Sequence, residues 1–251
     1  MRALAGALFA LLASVTIASA GMEEACSVAA HLVQADAGLP RVAAEIAKSH
    51  SLTIVVAGTT SSTLPGTKGA SLAYPARLEV ALRESLPGVA VKVVPYATPR
   101  RTAAEMAETF PKIIQNDKPT LVVWQTGTYD AMQGIAPELF QNTLEQTVDV
   151  LRDGGADIIF MNMQYSPRTD AVLASQAYAE AIRWVGLESG INLFDRQALM
   201  RHWSELGTFD LLAATKSLDT AAQVHECIGG LLADLILQAL KMSETESRET
   251  K

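Results

Sequence analysis

The feature that most constrains the fold is an alternation of short apolar runs with amphipathic segments. Five runs rich in β-branched and aromatic residues predict strands over 52–57, 89–94, 120–125, 157–163 and 191–194. The first, third and fourth runs are almost continuously apolar, which indicates strands that are covered on both faces. A sheet made of such strands is parallel and needs helices on both sides.

The segments that flank these runs carry apolar residues at helical spacing. That spacing predicts helices over 39–49, 74–85, 140–151, 171–190 and 220–240. Regular alternation of strand and helix predicts a single α/β domain over 21–242 with a parallel sheet. Ligands bind such sheets beyond the carboxyl ends of the strands, so the segments to inspect are 58–62, 95–101, 126–130 and the loop before the last helix.

Both ends of the chain differ from this pattern. Residues 1–20 have one early charge at Arg2, an apolar core over 3–13 and the ending Ala18-Ser19-Ala20. They predict a secretory signal and therefore an exported protein, periplasmic or secreted. The apolar core is too short for a membrane span, and we expect none. The polar residues 243–251 predict a disordered tail.

The charge of the chain limits the partners that we expect. The formal net charge is −7, and Arg100-Arg101 is the one basic pair near a predicted strand tip. Nucleic acid is therefore not an expected partner. No His, Cys or Asp spacing predicts a metal site, and no glycine-rich phosphate loop follows the first strand, so no metal or cofactor is expected.

The two cysteines, Cys26 and Cys227, lie near opposite ends of the predicted domain. In an oxidising compartment two such cysteines most simply form a disulfide. The alternative is a pair of buried free thiols.

A run of hydroxyls follows the first predicted strand. The stretch 55–66 reads VVAGTTSSTLPG, in which the strand ends at Gly58 and Thr59, Thr60, Ser61 and Ser62 follow. Several hydrolases display a nucleophile at such a strand end. The alternatives are that the hydroxyls satisfy the backbone of a tight turn or that they bind a ligand.

Six stretches spread over the chain resemble the SGNH (GDSL-type) hydrolase family: GTTSST, YPARLEVAL, VVWQTGT, MNMQYSPR, FDRQALMRHW and ECIGGLLADLI. They are most similar to an exported bacterial branch whose first block reads Gly-Ser-Ser-Ser-Thr. The resemblance implies a flavodoxin-like three-layer α/β/α domain with a five-stranded parallel sheet. It also implies ester or acyl hydrolysis by a serine nucleophile, an Asp-supported His base, and a glycine and an asparagine in the oxyanion hole.

The residues at those positions differ from the family pattern. Thr60 stands at the nucleophile position, Pro99 (within one or two residues) at the oxyanion glycine, and Tyr129 at the oxyanion asparagine. Lys216 and Asp219 stand at the Asp and His positions of the last block. All the catalytic positions are replaced on this alignment.

These replacements argue against hydrolysis of the family type. The β-methyl of Thr60 crowds the path of attack, Pro99 has no N–H to donate, and the carboxylate of Asp219 is a poor base for an alcohol. We therefore expect a non-catalytic binding or scaffolding protein of the cell envelope. An acylated glycan or a lipid ester is the expected ligand.

The alternative is an active esterase with a rearranged site. Thr60 or Ser61 would be its nucleophile and His225 its base. Against this, we expect Ser61 to point away from the site that Thr60 occupies, and His225 to be a packed or surface residue of the last helix. The remaining candidates for ligand binding are Gly58, Arg100, Arg101, Gly127 and Thr128, together with Arg168 as a residue that holds an anionic group.

Overall fold

Five parallel strands form one sheet in the computed structural model, which describes residues 24–212 and 218–249. The strands are β1 Ser51–Gly58, β2 Ala90–Ala97, β3 Leu121–Gln125, β4 Asp157–Met161 and β5 Asn192–Phe194. Their order is β2-β1-β3-β4-β5, and every neighbouring pair is parallel. This is the flavodoxin-like order, so the predicted fold class is confirmed. Residues 1–20, for which a secretory signal is predicted, and Lys216 lie outside the described residues.

Eleven helices are described beside this sheet, and a 3₁₀ turn at Ala30–Val33 precedes the first of them. They are α1 Pro40–Ser49, α2 Gly69–Leu72, α3 Tyr74–Ser85, α4 Ala103–Ala107, α5 Phe110–Asp117, α6 Thr128–Gln133, α7 Pro137–Asp153, α8 Pro167–Val172, α9 Gln176–Glu188, α10 Arg196–Glu205 and α11 Leu218–Glu249. Within the described ranges, no helix combines the length and the apolar character that crossing a membrane requires.

The sheet separates two apolar layers because alternate side chains of each strand point to opposite faces. Ile54 and Leu121 face the layer formed with α1, α3, α10 and α11. Val55 and Trp124 face the layer formed with α4, α5, α7 and α9. All five residues of β3 and of β4 are buried, as the apolar runs predict.

Two predictions of local structure are wrong, one of a helix and one of a disordered tail. The segment 171–190 is not one helix, because α8 begins at Pro167 behind a Ser166–Thr169 capping box and Leu173 is extended. The polar tail predicted over 243–251 is helical through Glu249, and the side chain of Ser243 is buried. Charged and hydroxyl residues there keep enough helix propensity to continue α11.

Two buried polar side chains hold the N-terminal segment against the sheet. Asp157 Oδ2, at the start of β4, accepts the backbone N–H groups of Arg41 and Val42 at 2.9 and 3.0 Å. Asn192 Oδ1, at the start of β5, accepts the N–H groups of Asp36 and Ala37 at 2.8 and 3.0 Å. Backbone donors that lack an intrahelical partner are thus satisfied by side chains from the sheet.

A disulfide joins Cys26 to Cys227 across 201 residues of sequence, as predicted. Cys227 lies on α11 and is buried, and Cys26 precedes the Ala30–Val33 turn. The bond therefore ties the start of the described chain to its last helix.

Candidate active site at the carboxyl ends of the strands

The site lies where the strand order reverses, between the carboxyl ends of β1 and β3. Gly58 ends β1 and Gln125 ends β3. A Cβ added at Gly58 would lie 2.3 Å from Ser62 Oγ and 2.9 Å from Gln125 Oε1. Glycine is therefore required here by the close approach of two side chains.

The hydroxyl run folds around Gln125. Its Oε1 accepts the N–H of Thr59 at 3.1 Å and the hydroxyls of Ser61 and Ser62, each at 3.2 Å. Ser62 Oγ also lies 2.9 Å from the hydroxyl of Tyr74, which is buried. The hydroxyls thus bind a side chain rather than cap the backbone of the turn.

Thr60 and Ser61 both line a cavity of about 340 Å³ beside this cluster. The expectation that Ser61 points away is therefore wrong. Thr60–Ser62 is a 3₁₀ turn, in which successive side chains are about 120° apart rather than on opposite faces. The cavity is also lined by three residues that can carry a charge or a proton, Arg168, Arg196 and His225, and by the apolar residues Leu64, Pro65, Met200, Leu211 and Val224.

Arg196 is the residue of this cavity that the sequence did not single out. It follows β5 and opens α10, its side chain is 1% exposed, and its Nη1 donates to Ser61 Oγ at 3.3 Å. Its Cζ lies 5.7 Å from the centroid of the Tyr74 ring, and its Nε has no partner among the described residues. Burial lowers the pKa of Arg196 to about 10, so the guanidinium stays charged at neutral pH.

His225 also reaches the cavity, from the second turn of α11. Its Nδ1 accepts the backbone N–H of Tyr74 at 3.0 Å, which places the proton of the neutral ring on Nε2. Burial, and then the charge of Arg196, lower its pKa from 6.5 to about 3. The lone pair on Nδ1, which a catalytic base would need, is thus already engaged by the N–H of Tyr74.

We expect His225 to make the protein less stable as the pH falls from 6.5. The unfolded chain takes up a proton there, while the folded protein does so only near pH 3. The free energy of unfolding should fall by about 1.4 kcal/mol per pH unit in that interval from this group alone. Urea unfolding between pH 7 and 4.5 measures it.

His225→Gln is the matched control, because the glutamine oxygen can accept the same Tyr74 N–H without titrating. Asp130 and Asp157 have raised pKa values in the fold and act in the opposite direction, but they are present in both proteins. The difference between the two pH curves therefore isolates His225. Parallel curves would contradict the prediction.

The candidate for the oxyanion glycine and the two arginines that follow it lie apart from this cavity. Pro99, Arg100 and Arg101 are exposed, and Arg101 pairs with Glu105 at 3.4 Å. Arg101 and Gly58 line a separate cavity of about 240 Å³. Arg100 has a φ of 56°, a backbone conformation that favours glycine, so it matches a glycine turn better than Pro99 does.

The remaining candidate site residues also lie away from this cavity. Gly127 has a φ of 96° and caps α6, whose first turn holds Thr128 and Tyr129. Neither these three nor the exposed Asp219 line the cavity of Thr60 and Ser61. The structure therefore brings together Thr60, Ser61, Arg168 and His225, and adds Gln125 and Arg196. Over 24–212 and 218–249, no cluster of His, Cys, Asp and Glu side chains is able to hold a metal ion.

Comparison with known proteins identifies the family. Residues 25–242 match the model of the non-GDSL lipase-like family. No curated protein matches the chain.

Solved structures of hydrolases share the fold. LAE5, an α/β hydrolase enzyme from the metagenome of Lake Arreo, Spain, has a TM-score of 0.61 at 17% identity, covering 75% of this chain and 96% of that chain. A variant of Axe2, an acetyl-xylooligosaccharide esterase from Geobacillus, has a TM-score of 0.57 at 17% identity, covering 75% and 94%. A G-D-S-L family lipolytic protein from Desulfitobacterium hafniense has a TM-score of 0.52 at 15% identity, covering 73% and 98%. These likenesses confirm the SGNH-type fold.

Proposed function

This chain belongs to the non-GDSL lipase-like family, and on that premise we propose that it is an exported, non-catalytic binding protein of the cell envelope. It keeps the cleft of an SGNH hydrolase and binds an acylated ligand there without cleaving it. The family match and the fold support the hydrolase ancestry. The absence of turnover and the export are our proposals.

One observation carries the proposal: the lone pair of His225, the histidine of the cavity, is occupied by a backbone N–H. Its Nδ1 already accepts the N–H of Tyr74, and its Nε2 carries the proton. In a serine hydrolase, loss of the base alone lowers turnover by about 2 × 10⁶. The carboxylate of Asp219 is exposed and does not line the cavity, so it is not placed to take a proton from a hydroxyl there.

Two further features support the proposal. Neither Pro99 nor Arg100, the candidates for the oxyanion glycine, lines the cavity, and Tyr129 at the oxyanion asparagine does not line it either. The Cys26–Cys227 disulfide suits a protein that folds in an oxidising compartment, as the signal pattern of residues 1–20 requires.

We expect the purified protein to hydrolyse short-chain aryl esters and acetylated sugars no faster than buffer does. Thr60→Ala, Ser61→Ala and His225→Ala should give the same background rate. A serine-directed phosphonate should leave the mass of the protein unchanged, and an active esterase of the same fold serves as the positive control. Turnover above background that disappears in one of these variants would overturn the proposal and identify the nucleophile or the base.

An esterase that uses Ser61 is the second candidate, and one contact favours it. Arg196 Nη1 lies 3.3 Å from Ser61 Oγ, and a cation at that distance stabilises the alkoxide form of a hydroxyl. The contact provides a cation beside the hydroxyl but no group to take its proton. Labelling of Ser61 by the phosphonate would decide in favour of this candidate.

A further inference from the structure

The buried positive charge of Arg196 has no counter-ion in the described part of the chain. Its guanidinium contacts the hydroxyl of Ser61 and the ring of Tyr74, both uncharged at neutral pH. The adjacent carboxylate of Asp195 binds Arg183 and accepts the N–H of Ala198, which caps α10. A buried charge that is neither paired nor solvated costs stability, so a fold that keeps it points to a use for it.

The polar groups that face the cavity can donate to a ligand. Ser61 accepts from Arg196 and donates its own hydrogen to Gln125 Oε1, so the free donor at this end of the cavity is Arg196 Nε, which has no partner among the described residues. Thr60 adds a hydroxyl, and Arg168 adds a second, exposed cation. No Asp or Glu is found among the described residues that line this cavity. The cavity is therefore electropositive and suited to an anion.

Parts of the cavity wall are apolar. They are formed by Leu64, Pro65, Met200, Leu211 and Val224. An inorganic anion would leave these walls without a partner, whereas a ligand with an apolar chain would cover them. The ligand is thus expected to be amphiphilic.

We propose that this cavity binds a singly charged carboxylate attached to an apolar chain, with Arg196 as the residue that holds the carboxylate. The planar guanidinium matches the two oxygens of a carboxylate, and one buried positive charge balances one negative charge. Arg168 is exposed and screened by water, so it contributes less. This inference rests on the proposed binding function, since it names the ligand class of the same cleft.

Calorimetric titration of the full protein with octanoate, and with 1-octanol as its uncharged analogue, tests the assignment. We expect octanoate to bind about tenfold or more tightly than 1-octanol. Arg196→Met should weaken octanoate binding by about tenfold or more and leave 1-octanol binding unchanged. Replacing a buried unpaired charge by an apolar side chain of similar length should not unfold the protein.

Arg168→Met is the matched control, because it removes an exposed cation from the same cavity. It should change octanoate affinity by no more than about threefold. Failure of octanoate to bind, equal binding of octanoate and 1-octanol, or unchanged octanoate affinity in Arg196→Met would overturn the inference. Tighter binding of octyl phosphate than of octanoate would overturn the choice of a carboxylate.

The two proposals fail in different ways. Ester turnover together with Arg196-dependent binding of octanoate would reject the non-catalytic function and support the carboxylate site. Absence of turnover together with equal binding of octanoate and 1-octanol would overturn the carboxylate site and leave the non-catalytic function in place.

Discussion

Removal of the Cys26–Cys227 disulfide should lower the free energy of unfolding by roughly 5 kcal/mol in the chain-entropy model. The bond closes a loop of 201 residues, so it restricts nearly the whole described chain in the unfolded state. Loss of the bond also frees the segment that leads into the Ala30–Val33 turn from α11. The effect is therefore expected in both the unfolded and the folded state.

Urea unfolding of the wild type and of three variants measures this effect. Cys26→Ala, Cys227→Ala and the double variant should be destabilised by similar amounts, because each removes the same bond. Cys227→Ala should lose slightly more than Cys26→Ala, since Cys227 is buried and its replacement leaves a small cavity. A double variant that loses less than about 1 kcal/mol would contradict the prediction.

The second large effect is expected at Asp157. Asp157→Ala would leave the N–H groups of Arg41 and Val42 without a partner at the start of α1. Each unsatisfied buried donor costs about 1–3 kcal/mol, so the expected loss for the two donors is about 2–6 kcal/mol. Urea unfolding at pH 7 and hydrogen exchange of the amides of α1 measure the loss and its location.

Asp157→Asn separates the hydrogen bonds from the charge. A single oxygen, Oδ2, accepts both N–H groups, and an asparagine oxygen can take its place. Burial raises the pKa of Asp157, so removing the charge also removes a desolvation cost. We expect Asn to differ from the wild type by less than about 1 kcal/mol. Equal destabilisation by Ala and Asn would show that the charge, and its 3.7 Å contact with Arg41, matter more than the two hydrogen bonds.

The sheet was predictable because burial on both faces leaves a local pattern. The third apolar run predicts a strand from residue 120, and β3 begins one residue later, at Leu121. The prediction missed the break between α8 and α9 because the apolar spacing continues across Leu173. The start of α8 is set instead by Pro167 and by the capping box. Local caps thus override periodicity at that point.

The site was only partly predictable. The place of Gly58, Thr60 and Ser61 at the site was predictable, because the sequence shows where the first strand ends. Arg196 reads as a surface residue at the start of a helix, and its burial depends on packing against Tyr74. The state of His225 depends on an N–H that lies 151 residues away in sequence. Contacts of this kind leave no local pattern, because tertiary structure alone creates them.

Helix α11 has a consequence for the order in which the protein folds as the chain emerges, N-terminal part first, from the ribosome or from an export channel. β1, at residues 51–58, emerges well before α11, at residues 218–249, yet Ile54 and Ile228 share one apolar layer. Until α11 emerges, one face of the sheet has no complete cover and is open to chaperones or to other chains. The opposite face closes earlier, since α4 and α5 follow β2 directly, and α7 and α9 also precede α11 in the chain. The two sides of the sheet therefore mature at different times, and the side that carries His225 is completed last.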